Sequence, residues 1–358
     1  MATTKKSDAN PWVSICIATY QRHDFLRKTL EKIRQQEVSD FEVIVSDNDP
    51  TASSRVVVEN FRDERFKYFV NEENLGIVGN FNAALKRSSG QFVVMMTDDD
   101  PPYTDMLSTL YGLEERYPGF GCYYGACDIK VEDTKIASLY GVPPGINSQL
   151  SNRAPNEIKV FPEKEFPVAF FENRVFPYFL WSTGIIRREV ALAIGGVPDY
   201  GTAYLGDFAF ICLCGAHSGC VTINKSLGFQ TIHSGNFGRQ EFKDIRLGVD
   251  GFIEYVSSKL SSREGYPLIQ SKMSLMLANW SITHAVFLDK YFEHYHIGNR
   301  AELRTDILKL IFNLNLSKIK KKMLALKFYW KVLVYSKITG LSPVISAKKK
   351  IKAILLNR

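Results

Sequence analysis

The 358-residue sequence has six cysteines but no Cys-x-x-Cys spacing, and it has no long apolar run. Cys212, Cys214 and Cys220 lie in an apolar segment, which indicates small buried side chains and free thiols rather than a metal or redox centre. The start "MATTKKSDAN" has no apolar segment, so we expect no signal peptide. Other apolar stretches are too short or too interrupted by lysine to span a bilayer. These absences predict a cytoplasmic protein.

Acidic residues are missing from Ile307 to Arg358, where 13 lysines and arginines stand. Since the whole chain carries a net charge of +7, residues 1–306 carry −6. Segments 318–338 and 346–358 mix lysine with large apolar residues at roughly helical spacing, which predicts basic helices that bind an anionic membrane surface. Packing on the domain or on another subunit is the alternative, so a homo-oligomer stays open. No nucleic-acid-binding motif accompanies the charge, and we expect no nucleic-acid partner.

Strand and helix patterns alternate over the first hundred residues, which predicts an α/β fold with a mainly parallel sheet flanked by helices. Ligands of such sheets bind beyond the carboxyl ends of the strands. Strands are predicted at 12–20, 41–49, 66–73 and 90–100, with helices at 22–36, 52–61 and 76–89 between them.

The pattern is looser after residue 102. We predict a helix at 104–118, a strand pair at 121–133 and 134–141, an exposed loop at 142–166, a strand and short helix within 176–196, a helix at 204–219, a strand within 220–235, and helices from about 241 onward. The predicted domains are a catalytic domain at 1–240, with a nucleotide-binding half at 11–102 and an acceptor half at 103–240, and a helical C-terminal region at 241–358, basic from about 307.

Polar residues follow three of the predicted strands, namely Thr19, Asp47 and the triplet Asp98–Asp100. Adjacent carboxylates repel one another and are costly to bury, and a divalent cation with oxygen ligands, Mg²⁺ or Mn²⁺, would neutralise them. If the strand pleat continues, Asp98 and Asp100 project to one side and Asp99 to the other. One acid would then bind ribose and another the metal. The alternative is that the acids only begin the next helix.

Four segments resemble, in order and spacing, the family 2 nucleotide-sugar glycosyltransferases with the GT-A fold. They are "VSICIATYQRHDFLRKTLEKI", "FEVIVSDND", "NEENLGIVGNFNAAL" and "GQFVVMMTDDD". The resemblance covers residues 11–102 and extends more weakly to about 240. "ENLGIVGNF" is similar to bacterial surface-polysaccharide enzymes, including those like abequosyltransferases. The resemblance implies an inverting hexosyltransferase that uses Mn²⁺ or Mg²⁺ and a nucleoside-diphosphate sugar, usually UDP-linked. It implies a glycan or lipid-linked acceptor in O-antigen or capsule synthesis, and a place in the cytoplasm or peripherally on the inner face of the cell membrane.

The resemblance also implies roles for single residues. Asp47 would read the base, Asp98 would contact ribose, and Asp100 with His233 would hold the metal. Gln21 stands where the family has Asn. The residues implied for nucleotide binding are Ala18, Thr19, Tyr20, Arg22, Asp47, Asn74, Gly76, Asn80, Asp98 and Asp99.

On the acceptor side, Asp207 in "YLGDFAF" matches the general base, with Gly206 where the family has Glu. A helix cap is the alternative for Asp207. Trp181 would stack on an acceptor sugar or belong to the core, and Arg239 would clamp the diphosphate or lie on the surface.

Two other functions also fit strand-end acids. A nucleotidyltransferase or other phosphoryl-transfer enzyme would use the same metal chemistry, but "ATYQRHD" is not a glycine-rich phosphate loop. A binding module that takes nucleotide sugars without turnover is the third possibility, which the intact acidic triplet disfavours.

Overall fold

The computed structural model describes residues 10–133, 142–150, 153–175, 180–233, 242–296 and 298–337, with side chains up to 332 in the last range. The predicted second strand at 134–141, Arg239 and the segment 346–358 lie outside these residues. Contacts divide the chain into two compact units, Met1–Met273 and Ser274–Arg358.

The first unit contains the sheet. Its strands are β1 Val13–Thr19, β2 Phe41–Asp47, β3 Phe66–Val70, β4 Phe92–Thr97, β5 Cys122–Val131, β6 Gly145–Asn147, β7 Ile158–Phe161, β8 Gly184–Arg187 and β9 Cys220–Ile232. Its helices are α1 His23–Arg34, α2 Arg55–Glu59, α3 Gly76–Arg87, α4 Met106–Arg116, α5 Phe166–Phe171, α6 Arg188–Ala193, α7 Gly206–Ser218 and α8 Phe242–Leu260.

The described strands form one mixed sheet in the order β3-β2-β1-β4-β8-β5-β9-β7, and β6 pairs with β5. The pairs of β1 with β2 and β4, of β2 with β3, and of β5 with β9 are parallel, whereas β8 is antiparallel to both β4 and β5. Central strands β1, β2 and β4 are apolar almost throughout because both faces of the sheet are covered. The predicted mainly parallel α/β sheet is confirmed.

The prediction of a loop at 142–166 is wrong in part. Two short strands, β6 and β7, lie within it, and Val160 of β7 pairs with Val221 of β9. Apart from the buried Phe161, the residues of these strands are exposed or half-buried, so the strands lack the apolar run on which strand prediction depends.

The described residues after Phe242 form helices, as predicted. The helix α9 Tyr266–Tyr295 crosses the boundary between the units, and α10 Arg300–Asn313 and α11 Lys318–Lys337 belong to the second unit. Within that unit, the buried Asp289 carboxylate accepts two hydrogen bonds each from Arg300 and Arg304, which fixes the start of α10 to α9. In the described part of the chain, no helix combines the length and apolar character required to cross a membrane.

Candidate active site

The carboxyl ends of β1 and β4 lie side by side because these strands pair in parallel, with Ala18 opposite Thr97. The Thr19 hydroxyl donates to Asp98 Oδ2 at 2.7 Å. The Thr29 hydroxyl of α1 donates to the Asp98 carbonyl oxygen at 2.8 Å. The expected meeting of these two strand ends is therefore present, and α1 holds it in place.

Arg22 binds two of the three acids through one guanidinium. Its Nη1 lies 2.8 Å from Asp98 Oδ1, and its Nη2 lies 2.5 Å from Asp99 Oδ2. Asp100 turns away, since its Oδ1 accepts from the Thr231 backbone N–H at 2.9 Å and its Oδ2 accepts from the threonine that ends β4 at 2.8 Å. The expected alternation of the triplet is wrong because β4 ends before it and the first two acids lie in a turn.

His233 follows β9 and lies beside the middle acid of the triplet. Its Nε2 is 3.0 Å from Asp99 Oδ2 and 3.0 Å from Arg22 Nη2. The Phe25 ring stacks on the imidazole, with centroids 4.3 Å apart and planes at 27°. The expected pair of Asp100 and His233 is thus replaced by Asp99 and His233. Sequence analysis misses Phe25, although its position three residues after Arg22 places both on one face of α1.

The surroundings of the three carboxyl groups shift their pKa values in different directions. Burial raises the pKa of Asp98 to about 7, although Arg22 opposes this. Burial, together with the charge of Asp99, raises the pKa of Asp100 well above its ordinary value. Burial acts in the same direction on Asp99, but hydrogen bonds from His233 and Arg22 outweigh it and hold the pKa of Asp99 below its ordinary value. Of the three acids, Asp99 is thus the one whose surroundings lower its pKa and favour the ionised form.

Asp47 is fully buried, and its carboxylate is occupied by protein donors. Oδ1 accepts from the Asp49 backbone N–H at 2.9 Å. Oδ2 accepts from the Ser54 backbone N–H at 3.2 Å and from the Tyr68 hydroxyl at 2.7 Å. Because its oxygens hold the turn after β2, these contacts do not favour the expected role of Asp47 in reading the nucleotide base, and that role stays a prediction.

Replacing Asp47 with Asn should therefore destabilise the fold without changing base preference. The new amide would direct N–H groups at a backbone N–H, and we expect the free energy of unfolding to fall by about 1–3 kcal/mol. Urea unfolding measures this change, with Tyr68→Phe as a control that removes one hydrogen bond and costs about 1 kcal/mol. A variant of unchanged stability and altered base preference would contradict this assignment.

An amide network links the remaining residues of the predicted nucleotide site. The buried Asn48 side chain donates to Asn74 Oδ1 at 3.0 Å and to the Gly76 carbonyl at 2.9 Å. The buried Asn80 donates to the Thr19 carbonyl at 3.2 Å. Asn74 and Gly76 are exposed, and a φ of 71° at Gly76 favours glycine there. The network positions the rim that the exposed Asn74 and Gly76 form. Asn48 belongs to this network, although the sequence analysis does not identify it.

The β1 loop presents Tyr20 to solvent, with 44% of the residue exposed. The next residue, Gln21, has a positive φ of 54° and donates to Asp49 Oδ2 at 3.2 Å. Tyr20 is thus accessible at the same rim as Asn74 and Gly76, which is consistent with the predicted nucleotide contact.

Asp207 lies in the first turn of α7 and is half-buried. Burial raises its pKa to about 6, although backbone N–H groups oppose the shift, among them the Phe208 N–H that donates to Oδ1 at 2.8 Å. The charge of Asp207 in turn contributes to the raised pKa values of Tyr200 and Tyr124, after burial, so the carboxylate lies among aromatic side chains. Such a carboxylate is ionised at neutral pH and more basic than an exposed one.

Trp181 is only 8% exposed, and its ring centroid lies 4.3 Å from that of Phe81. This packing is that of a core aromatic, so an acceptor-stacking role for Trp181 stays a prediction that the burial does not favour. Arg239 is outside the described residues, and its diphosphate role also stays a prediction.

Part of the chain matches a known family of proteins. Residues 14–166 match the model of "Glycosyl transferase family 2". A Campylobacter jejuni protein, GalNAc(5)-diNAcBac-PP-undecaprenol beta-1,3-glucosyltransferase, is 31% identical over 47% of this chain and 52% of its own length. An Escherichia coli protein, UDP-Glc:alpha-D-GlcNAc-diphosphoundecaprenol beta-1,3-glucosyltransferase WfgD, is 32% identical over 25% of this chain and 35% of its own length. The chain thus spans about half the length of these curated relatives, or less.

Solved structures share the fold. Staphylococcus aureus TarS 1-349 in complex with UDP-GlcNAc matches with a TM-score of 0.58 at 15% identity, over 91% of each chain. Mannosyltransferase PcManGT from Pyrobaculum calidifontis, in complex with GDP-Man and Mn²⁺, matches with a TM-score of 0.51 at 15% identity, over 93% of this chain and 89% of its own. The family resemblance and the GT-A fold expected from the sequence are confirmed.

Proposed function

We propose that this chain transfers a sugar from a UDP-linked donor to a hydroxyl of a lipid-linked or glycan acceptor, because residues 14–166 match the model of glycosyl transferase family 2. The setting is bacterial surface-polysaccharide assembly, and the anomeric configuration inverts. The names of the Campylobacter and E. coli relatives include undecaprenol-linked substrates, which supports the acceptor class. The UDP-GlcNAc bound in the TarS structure supports the donor class. The observation that carries the proposal is the Asp98, Asp99 and His233 cluster around one cationic group.

Two members of the cluster, Asp99 and His233, suit a divalent cation. Arg22 places positive nitrogens within 2.5–3.0 Å of Asp98 Oδ1, Asp99 Oδ2 and His233 Nε2, so a cation already stands between these donors. Carboxylate oxygens with one imidazole suit Mn²⁺, and Mg²⁺ less well. Among the described residues no group of three or more His, Cys, Asp or Glu side chains is placed to hold a metal ion. Asp99 and His233 would therefore supply two ligands, and donor phosphates and water would supply the others. When bound, the metal would stabilise the diphosphate leaving group.

Arg22 would leave the acids when the donor binds. Its side chain is 31% exposed and starts at the junction of β1 and α1, so the guanidinium can turn from the carboxylates toward a phosphate without unfolding an element. An arginine binds phosphate oxygens in a forked geometry. Arg22 would thus hold the diphosphate while Asp99 and His233 hold the metal, and the acid cluster keeps one cationic partner throughout.

Asp207 would accept the proton of the acceptor hydroxyl as that oxygen attacks the anomeric carbon. Its pKa of about 6 leaves it ionised at neutral pH and makes it a stronger base than an exposed aspartate. Catalysis should therefore need the ionised form, and kcat/KM should fall as the pH drops below about 6.

Donor binding tests the proposal. We expect UDP and UDP-sugars to raise the melting temperature of the full chain in the presence of Mn²⁺ and to do so weakly after chelation. At a concentration 100 times Kd, the added stability is about 2.7 kcal/mol. Released UDP, rather than UMP, would distinguish sugar transfer from nucleotidyl transfer. Failure of UDP, GDP and their sugars to bind with Mn²⁺ would overturn the function.

A further inference from the structure

The helix α11 has two apolar faces, of which only one is buried. Leu324, Phe328 and Val332 are at most 6% exposed. The second face is exposed to solvent and consists of four residues, each with an exposed fraction of 62–73%, namely Ile319, Met323, Leu326 and Trp330. We call these four residues the α11 outer stripe. At 100° per residue, its centre lies roughly 170° from that of the buried face, so the same helix cannot bury both faces against one neighbour.

Lysines border the outer stripe on both sides. Helical geometry places Lys318 and Lys322 along one edge, with the 44%-exposed Tyr329, and places Lys320, Lys327 and Lys331 along the other. No acidic residue occurs from Ile307 to the end of the sequence. The surface is therefore a bulky apolar row between two cationic rows, with aromatic side chains that have polar ends.

We propose that the α11 outer stripe lies in the surface of an anionic phospholipid membrane. Leu326 and Met323 would enter the acyl boundary, and Trp330 and Tyr329 would sit at headgroup level. The exposed Lys318, Lys320 and Lys322 would contact lipid phosphates. Lys327 is held within the unit, since its Nζ donates to Asn279 Oδ1 at 2.6 Å. The inference rests on the proposed function in one respect, because a lipid-linked acceptor gives the enzyme its reason to be at a membrane.

The positive charge around the α11 outer stripe favours a lipid membrane over a second copy of the chain or a nucleic acid as its partner. Two copies joined through this stripe would bring lysine rows together, and residues after Ile307 supply no acid to neutralise them. A nucleic acid would gain from the lysines but not from four bulky apolar side chains in the middle of them. A bilayer with anionic headgroups satisfies both features at once.

Vesicle flotation of the full-length chain, without donor, acceptor or metal, tests the inference separately from the function. We expect flotation with phosphatidylcholine vesicles that contain about one third phosphatidylglycerol, weak flotation with phosphatidylcholine alone, and loss in high salt. The double substitution Met323→Ser/Trp330→Ser should lower the partition coefficient at least about tenfold. Gln in place of Lys318, Lys320 and Lys322 should lower it similarly, with no change in melting temperature.

The matched control is Leu247→Ser/Leu268→Ser, which removes two apolar residues that are 45% and 52% exposed outside α11 and should float like the wild type. Flotation of the Met323→Ser/Trp330→Ser protein at the wild-type level would overturn the inference. A wild-type dimer that this substitution dissociates, with no vesicle binding, would also overturn it and assign the stripe to a second copy. Donor binding that persists in either case would leave the proposed function intact.

Discussion

Asp207→Asn is expected to lower sugar transfer by about three orders of magnitude and to leave the affinity for donor and Mn²⁺ unchanged. A positioned general base contributes about 10²–10⁴ in rate, and the amide has the size of the carboxylate but cannot take a proton. The Asn oxygen can still accept the Phe208 N–H, so the start of α7 keeps its hydrogen bond. Single-turnover transfer and calorimetric donor binding measure the two quantities.

The pH dependence of stability distinguishes a catalytic base from a helix cap at Asp207. The folded-state pKa of Asp207 is raised, so its contribution to stability is present below the unfolded value of about 4 and is lost as the pH rises through about 6. At pH 8 the ionised, half-buried carboxylate therefore costs stability, by up to about 3 kcal/mol for two pKa units. Asp207→Asn should raise the melting temperature at pH 8 and should not raise it near pH 4.

Asp244→Asn is the matched control because Asp244 also lies half-buried in the first turn of a helix, α8. It should leave the rate of sugar transfer unchanged. If Asp207→Asn instead lowers the melting temperature at pH 8, the Asp207 carboxylate acts as a cap that stabilises α7. Equal losses of donor binding and transfer would likewise remove Asp207 from the role of base.

The sheet was predictable where burial dominates. Segments such as 12–20 and 41–49 are buried on both faces, so their apolar runs alone identify β1 and β2. The family motifs then indicate which strand ends meet, and the contact of Thr19 with Asp98 confirms that part. By contrast, β6 and β7 depend on pairing with distant strands, which a half-exposed local sequence does not encode.

The orientation of acids was not predictable from spacing. Asp47 is bound by backbone N–H groups and by Tyr68 from a strand 19 residues later, and no local pattern reveals that its oxygens are occupied. Likewise, the pleat that would place Asp98 and Asp100 on one side ends at Thr97. Site chemistry thus depended on where each strand stops, and element ends are the least certain part of a sequence-based assignment.

Asp99→Asn is expected to abolish Mn²⁺-dependent donor binding, whereas Asp100→Asn is expected to preserve it. Asp99 is the ionised acid beside His233, and loss of its charge removes a metal ligand. We expect the Mn²⁺ affinity to fall at least about 100-fold and transfer to fall about 1000-fold, since a Lewis-acid metal supplies several kcal/mol. Calorimetric titration of Mn²⁺ in the presence of UDP, together with transfer rates, measures both effects.

Asp100→Asn is the matched control because it makes the same replacement, an amide for a carboxyl group, at the adjacent acid. Burial and the charge of Asp99 raise the pKa of Asp100, which favours its neutral form, so the amide is a close match in charge as well as in size. The Asn oxygen can accept the Thr231 N–H, and its NH₂ can donate to the Thr97 hydroxyl oxygen, which restores both observed contacts. Mn²⁺ affinity should stay within about threefold of the wild type, because both oxygens of Asp100 are held by Thr231 and Thr97 rather than directed at the cation. The assignment would be contradicted if the Asp99→Asn protein bound Mn²⁺ and the Asp100→Asn protein did not. Asp100 would then be the metal ligand, and the turn after β4 would have to rearrange when the donor binds.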